Sequence, residues 1–283
     1  EIAVVIAEGE IVPGKGMDGY IGSDDIAKKL RKLREDEKVK AVVLRINSPG
    51  GSALASDIMW REVRRMSEKK PIIASMSDVA ASGGYYIAMG CDKIVAQPNT
   101  ITGSIGIFGL FFNVKKLLEE KIGITTDVVG TGRLSDFGDA TDGLTDIERK
   151  IIQKMIDEGY ETFTSKAAMG RKMSLDELKK YASGRVWAGT EAKNVGLVDE
   201  LGGIDKAIEL AAQQAGIEGD YRVKYYPDEI NFLEKFNAQF QEDVATWILK
   251  KRLGEHFSLF QPMEKLKNMQ GIQARLPYDV VVE

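Results

Sequence analysis

Three short stretches carry the groups that could do chemistry. In Ser77-Asp78-Val79-Ala80-Ala81-Ser82-Gly83-Gly84-Tyr85-Tyr86, the Ser82 hydroxyl follows a strand-like run and precedes a helix-like one. A hydroxyl there sits near the positive end of a helix dipole, among backbone N–H groups without intrahelical partners. Gly83 and Gly84 lack side chains, so another backbone could come close to it. A helix cap and a tight turn would use the same residues. In Asn47-Ser48-Pro49-Gly50-Gly51-Ser52, the Gly50 and Gly51 N–H groups are unshielded and could face an oxyanion, although a helix-opening turn reads the same way. Thr102-Gly103-Ser104-Ile105-Gly106 is a third Gly/Ser loop.

These loops need strands to aim them. Glu1 to Ala7, Lys40 to Ile46 and Pro71 to Met76 are near-continuous apolar runs, the pattern of strands buried on both faces of a parallel sheet. Lys93 to Ala96, Ile105 to Leu110 and Thr125 to Val129 also read as strands. Helices are expected after Ser23, from about Ala53 to Glu68, after Ser82 and from Val114 to Glu120. Capping boxes at Thr145/Glu148 and Ser174/Glu177 open two more, the first running to about Met169; Thr190 to Asn194 and Gly203 to Ala215 follow. Strands alternating with helices mean α/β, with helices packed on a mainly parallel sheet. If the strands before Asn47 and Ser77 are parallel neighbours, their loops share the rim where such sheets bind ligands. The tail from Asp228 reads as helical, with Ile230, Leu233, Phe236, Phe240, Val244, Trp247 and Ile248 on one stripe. That stripe suits packing within the chain or on a sister subunit better than a membrane surface, because Lys/Arg gather only at Lys250-Lys251-Arg252.

Composition excludes other chemistries. The 283 residues carry 39 Lys and Arg against 43 Asp and Glu, a net charge of −4, which gives no footprint for nucleic acid. One cysteine, Cys91, and one histidine, His256, leave no disulfide framework and no His/Cys metal cluster. No apolar run reaches the ~20 residues of a membrane span, and no signal peptide opens the chain. Neither G-x-G-x-x-G nor a phosphate-binding G-x-x-x-x-G-K-[ST] loop occurs. A Ser-His-Asp triad would need His256 from the polar tail, so a serine nucleophile here points instead to lysine as base.

The blocks Asn47-Ser48-Pro49-Gly50-Gly51-Ser52, Ala80-Ala81-Ser82-Gly83-Gly84-Tyr85-Tyr86 and Thr102-Gly103-Ser104-Ile105-Gly106 resemble the signature blocks of the signal peptide peptidase A (protease IV) family of S49 serine proteases. The resemblance runs from the first strand to about Ala215. It implies a ClpP/crotonase-like fold and a Ser-Lys dyad serine endopeptidase that degrades cleaved signal peptides, with no cofactor and no metal. By that likeness Ser82 is the nucleophile, Gly50 and Gly51 furnish oxyanion N–H groups, and Ser104 positions the lysine. Residues 1–218 are then the protease domain and 219–283 a helical extension for packing or oligomerisation. Members sit at the bacterial membrane with the catalytic part on the extracytoplasmic side. They form bowl-shaped homo-oligomers and act on extended apolar peptides.

One position departs from the family pattern. Short members carry the lysine just before the long helix, where this chain reads Gly132-Arg133-Leu134-Ser135-Asp136-Phe137-Gly138, with Ser135 in its place. Double-length members divide the pair, the lysine in the N-terminal half and the serine in the C-terminal half. This chain resembles such a C-terminal half, beginning abruptly on a strand and expected to be inactive alone. Lys93, Lys115, Lys116 and Lys121 remain as candidate bases, but a solvated lysine stays protonated near ~10.4 while a working base must fall toward ~7–8. The rival readings are a crotonase-type acyl-CoA enzyme and a non-catalytic, oligomer-building peptide scaffold.

Overall fold

The computed structural model describes residues 1–17, 19–226 and 271–276. The first part of the chain gives β1 (Ile2–Glu8), β2 (Glu10–Val12), β3 (Tyr20–Gly22), α1 (Ser23–Glu35), β4 (Ala41–Ser48), β5 (Gly50–Ser52) and α2 (Ala53–Ser67). The middle gives β6 (Ile72–Ala81), α3 (Gly83–Ala88), β7 (Lys93–Ala96), β8 (Ile101–Gly103), β9 (Phe108–Leu110) and one π-helical turn, Leu117–Ile122. The remainder gives α4 (Asp146–Arg171), α5 (Leu175–Lys179), β10 (Val186–Ala188), α6 (Gly189–Asn194), β11 (Glu200–Leu201), α7 (Ile204–Gln214), β12 (Val223–Tyr226) and β13 (Gly271–Arg275).

The apolar runs line up in the main sheet, ordered β10-β8-β6-β4-β1-β12, with β7 joining β6 to β11. All its pairings are parallel except β10 with β8. Side chains alternate faces along a strand, and here both faces are covered. Ile2, Val4, Ala41, Val43 and Ile73 pack on Ala207, Ile208 and Ala211 of α7. Ala3, Val5, Val42, Leu44, Ile72 and Ala74 face the other way, into a core with Leu30 of α1, Met59 and Val63 of α2 and Tyr85 of α3. A second sheet, ordered β3-β2-β5-β13-β9, carries the Gly50–Gly51 strand. The fold is therefore the expected α/β type, with helices on a largely parallel sheet.

Several local expectations change. The strand before Ser82 runs on through Ser77 and Asp78 to Ala81, because its far end finds a new partner: Val79, Ala80 and Ala81 pair with Ile101, Thr102 and Gly103. Ser23 does not cap α1; Gly22 takes that place, and the Ser23 hydroxyl accepts from the Gly14 N–H at 3.1 Å. Residues 125–129 form no strand: they are exposed, no described strand pairs with them, and an unpaired strand has little to hold it. The Val114 to Glu120 helix is found as residues 115–122, with its Leu117–Ile122 part π-helical. The Thr145/Glu148 capping box forms in full, while at Ser174 only the hydroxyl half does, accepting from the Glu177 N–H.

Within the expected helical extension, 219–283, the regular elements among the described residues are two strands. Val223–Tyr226 extends the main sheet beside β1, and Gly271–Arg275 enters the second sheet between β5 and β9. Strand pairing across such sequence distances leaves no local pattern in either segment. The apolar stripe from Ile230 to Ile248, and His256, lie outside the described residues.

Candidate active site

Ser82 sits where β6 ends and α3 begins, as its surroundings in the sequence require. Its backbone is in a strained conformation, φ 53° and ψ −111°, which a non-glycine residue adopts at a cost of order 1–3 kcal/mol. Two hydrogen bonds hold it there: the Ser82 N–H donates to the Gly103 carbonyl, and the Tyr86 N–H to the Ser82 carbonyl, both at 2.8 Å. Among the described residues nothing accepts or donates to the Ser82 Oγ, although the residue is fully buried. A buried hydroxyl left so costs about 1–3 kcal/mol and calls for an explanation outside packing.

The two other loops converge on it. Ser48 of β4 pairs with Ala80 of β6, which brings the Pro49-Gly50-Gly51 turn beside the start of α3. A Cβ placed on Gly50 would lie 2.7 Å from the Gly83 nitrogen, so only glycine permits this approach. The Ala274 carbonyl oxygen of β13 lies over the same spot, 2.2 Å from that point and 2.9 Å from a Cβ on Gly83. The Gly50 N–H itself donates to the Ser48 hydroxyl at 3.2 Å. Gly51 is opposite Ala274, and Leu276 donates to the Pro49 carbonyl at 3.0 Å. Bonded pairs alternate along an antiparallel ladder, which makes Gly51 the residue whose N–H faces the Ala274 oxygen. The Gly83 nitrogen, at the first position of α3, is the other backbone amide at this junction. Sequence reading passed it over; the available signal was its place directly after the serine at a helix start.

Ser104 comes to the same rim because Gly103 pairs with Ala81, so the two serines follow adjacent parallel strands. It too is buried with positive φ, 49°, and its N–H donates to the Arg185 carbonyl at 2.7 Å. Next to it opens a cavity of about 530 Å³, lined by Ser104, Ile107, Phe108, Asp157, Tyr160 and Ser183 among others.

The lysines make other contacts or lie exposed. Lys115 reaches Asp142 at 2.5 Å, and that hydrogen bond and charge push its pKa up, opposite to what a base needs. Lys93 pairs with Glu200 at 3.4 Å, while Lys116 and Lys121 are exposed. A half-buried lysine not singled out in the sequence, Lys166, closes on Asp57 and lies 4.0 Å from the Trp60 ring centre. Ser135 is exposed, and its hydroxyl accepts from the Gly132 N–H at 2.7 Å. Cys91 is buried, and burial pushes its thiol far up, away from the reactive thiolate. Among the described residues no cluster suited to a metal occurs, and no helix is long and apolar enough to cross a membrane.

With this geometry in view, the comparisons fall into place. The family model described as peptidase family S49 matches residues 64–218. A chloroplastic serine protease SPPA of Arabidopsis thaliana is 39% identical over 281 residues, covering 98% of this chain and 40% of the relative. Protease 4 of Salmonella typhi is 42% identical over 234 residues, 82% of this chain and 37% of the relative. Protease 4 of Haemophilus influenzae is 39% identical over 259 residues, 88% and 42% respectively. The chain thus spans about two-fifths of the length of these relatives. It belongs to peptidase family S49.

Proposed function

We propose that this chain supplies the nucleophile and oxyanion site of a serine peptidase whose general base comes from a different polypeptide segment. The observation that carries the reading is that the Gly83 nitrogen and the Ala274 carbonyl oxygen both crowd Gly50, directly after the strained and buried Ser82. In an acyl transfer the Ser82 Oγ attacks a peptide carbonyl seated there, and the N–H groups of Gly51 and Gly83 take up the charge on its oxygen. The proton of Ser82 must leave for a neutral amine. Ser104 and the cavity beside it, with its hydroxyls and the Asp157 carboxylate, offer the place where an incoming lysine ammonium would be held and aligned.

The partner for this step is read as the N-terminal half of a longer protein of the same family. Leu117, Ile122, Ile124, Val128, Val129, Leu134 and Phe137 form a run of exposed large apolar side chains, suited to cover by that half or by a sister subunit of a homo-oligomer. Extended apolar peptides, such as spent signal peptides, are the proposed substrates, and a membrane-associated, extracytoplasmic setting is the proposed location.

The test is labelling and complementation. A serine-reactive fluorophosphonate should modify Ser82, and the purified chain alone should leave peptides intact. Adding the remaining part of the protein should restore hydrolysis, and Ser82→Ala should abolish it. Robust peptide hydrolysis by the chain alone, lost in Ser82→Ala, would return the base to this polypeptide. Failure to label Ser82 in either setting would favour the acyl-CoA or scaffold reading.

A further inference from the structure

The second sheet is completed by the last described strand. β13 lies antiparallel to β5 on one side, Ala274 opposite Gly51, and antiparallel to β9 on the other, Ile272 opposite Gly109. Strands spaced at ~4.8 Å leave a slot one strand wide between β5 and β9. A peptide entering such a slot gains a ladder of main-chain bonds on both edges. Residues 271–276 lie in it as a peptide would, with one carbonyl, that of Ala274, at the Gly50–Gly83 junction. The side chain at that position, the methyl group of Ala274, is fully buried. The next residue, Arg275, is buried as well, and its guanidinium meets the Glu10 carboxylate of β2 at 2.6 Å. Glu10 is itself only 8% exposed, so this pair is screened little by solvent.

We propose that Glu10 is a selectivity residue of the peptide slot, choosing a basic side chain directly after a small residue whose carbonyl lies at Gly51 and Gly83, and that residues 271–276 are the slot's built-in occupant. This rests on reading the Ser82 site as a peptide site and adds which peptide it prefers. A carboxylate buried beside a slot discriminates strongly, because a neutral or acidic side chain in Arg275's place leaves the charge uncompensated. The occupant also sets a condition for turnover: a substrate must first displace residues 271–276.

The experiment uses the whole 283-residue chain and two hexapeptides. One has the sequence of residues 271–276, Gly-Ile-Gln-Ala-Arg-Leu; the other has Ala in place of Arg. Amide hydrogen exchange at residues 271–276 of the chain reports displacement. The first peptide should speed exchange there, and the second should need at least about tenfold more to do the same. Glu10→Gln should erase that difference and, without peptide, quicken exchange at these amides by about tenfold. Equal potency of the two peptides on the unaltered chain, or exchange untouched at saturating peptide, overturns the inference. The two proposals fail separately. Charge-selective displacement with no labelling of Ser82 removes the peptidase reading alone, whereas Ser82-dependent hydrolysis blind to the basic residue removes only the Glu10 assignment.

Discussion

The rim around Ser82 and the stretch from Asn113 to Leu144 are built on opposite terms. At the rim, every loop is anchored by a strand of a sheet, Ser82 and Ser104 are held at positive φ, and Gly50 and Gly83 meet without side chains between them. The peripheral stretch carries one π-turn and exposed apolar side chains, and the ion pair seen there, Lys115 with Asp142, is at the surface. Strain of a few kcal/mol persists only where the surroundings over-determine it. Ser82 is thus held in place by its own sheet. The segment around Ser135, where the resemblance leads us to expect a lysine, is exposed and carries no regular element. If the peptidase is divided as proposed, its rigid part is here and its titrating part elsewhere.

The largest effect that would break this contrast is catalytic. In subtilisin, loss of the serine or of its base lowers turnover on the order of a million-fold. With the remaining part of the protein present, Ser82→Ala should bring peptide hydrolysis down to that level, read by release of a fluorogenic leaving group. Ser104→Ala should cost less and act through the base, shifting the acid limb of the kcat/KM profile rather than removing activity. An unshifted profile would make Ser104 a packing residue.

Next comes a pair of glycines. At Gly50 (φ 103°) a methyl group would collide with the Ala274 oxygen at 2.2 Å, so Gly50→Ala should cost about 3 kcal/mol or more in thermal unfolding. At Gly123 (φ 75°) nothing lies within 4 Å, and Gly123→Ala should cost only about 1–2 kcal/mol, the strain of the left-handed backbone alone. Equal costs would mean that the rim is no more tightly determined than the periphery.

The built part also has a pH signature. Glu62 of α2 is buried, and burial by itself raises a carboxyl pKa; hydrogen bonding and charge from Arg34 and Arg31 outweigh this and hold it below the usual 4.5. A carboxyl depressed by folding stabilises above its unfolded pKa, and that contribution fades as pH falls through the folded value. Glu62→Gln should therefore destabilise at pH 7 by about 1–3 kcal/mol, with the gap to the unaltered chain closing below about pH 4. A gap that persists at pH 3 would assign the loss to packing instead.

The main sheet was legible because its strands are buried on both faces and so advertise themselves: Ala41 to Ile46 has hardly a polar interruption, and Lys93 to Ala96 needed no adjustment. The serine and its glycines were legible because their types and spacing have few structural uses in combination. What escaped was set by distance along the chain. Val79 to Ala81 became strand only through Ile101 to Gly103, and Gly271 to Arg275 only through β5 and β9. Thr125 to Val129 shows the converse, a β-prone composition with no described strand to pair with. The Gly83 N–H and the Glu10–Arg275 pair are likewise products of the assembled fold.

The smallest expected effect tests the contrast most directly. Ser135 is exposed, and its hydroxyl only ties the turn to Gly132, so Ser135→Lys should alter stability by no more than about 0.5 kcal/mol. An ammonium placed there stays in water and stays protonated at neutral pH, because nothing around it removes solvent or presses its pKa down. The substituted chain should then remain unable to hydrolyse peptides by itself. Hydrolysis appearing in Ser135→Lys and vanishing again in Ser82→Ala would show that the periphery can close over the rim unaided. In that case a lysine at this position suffices, and the division of labour between two segments rests on one side chain rather than on how the two regions are built.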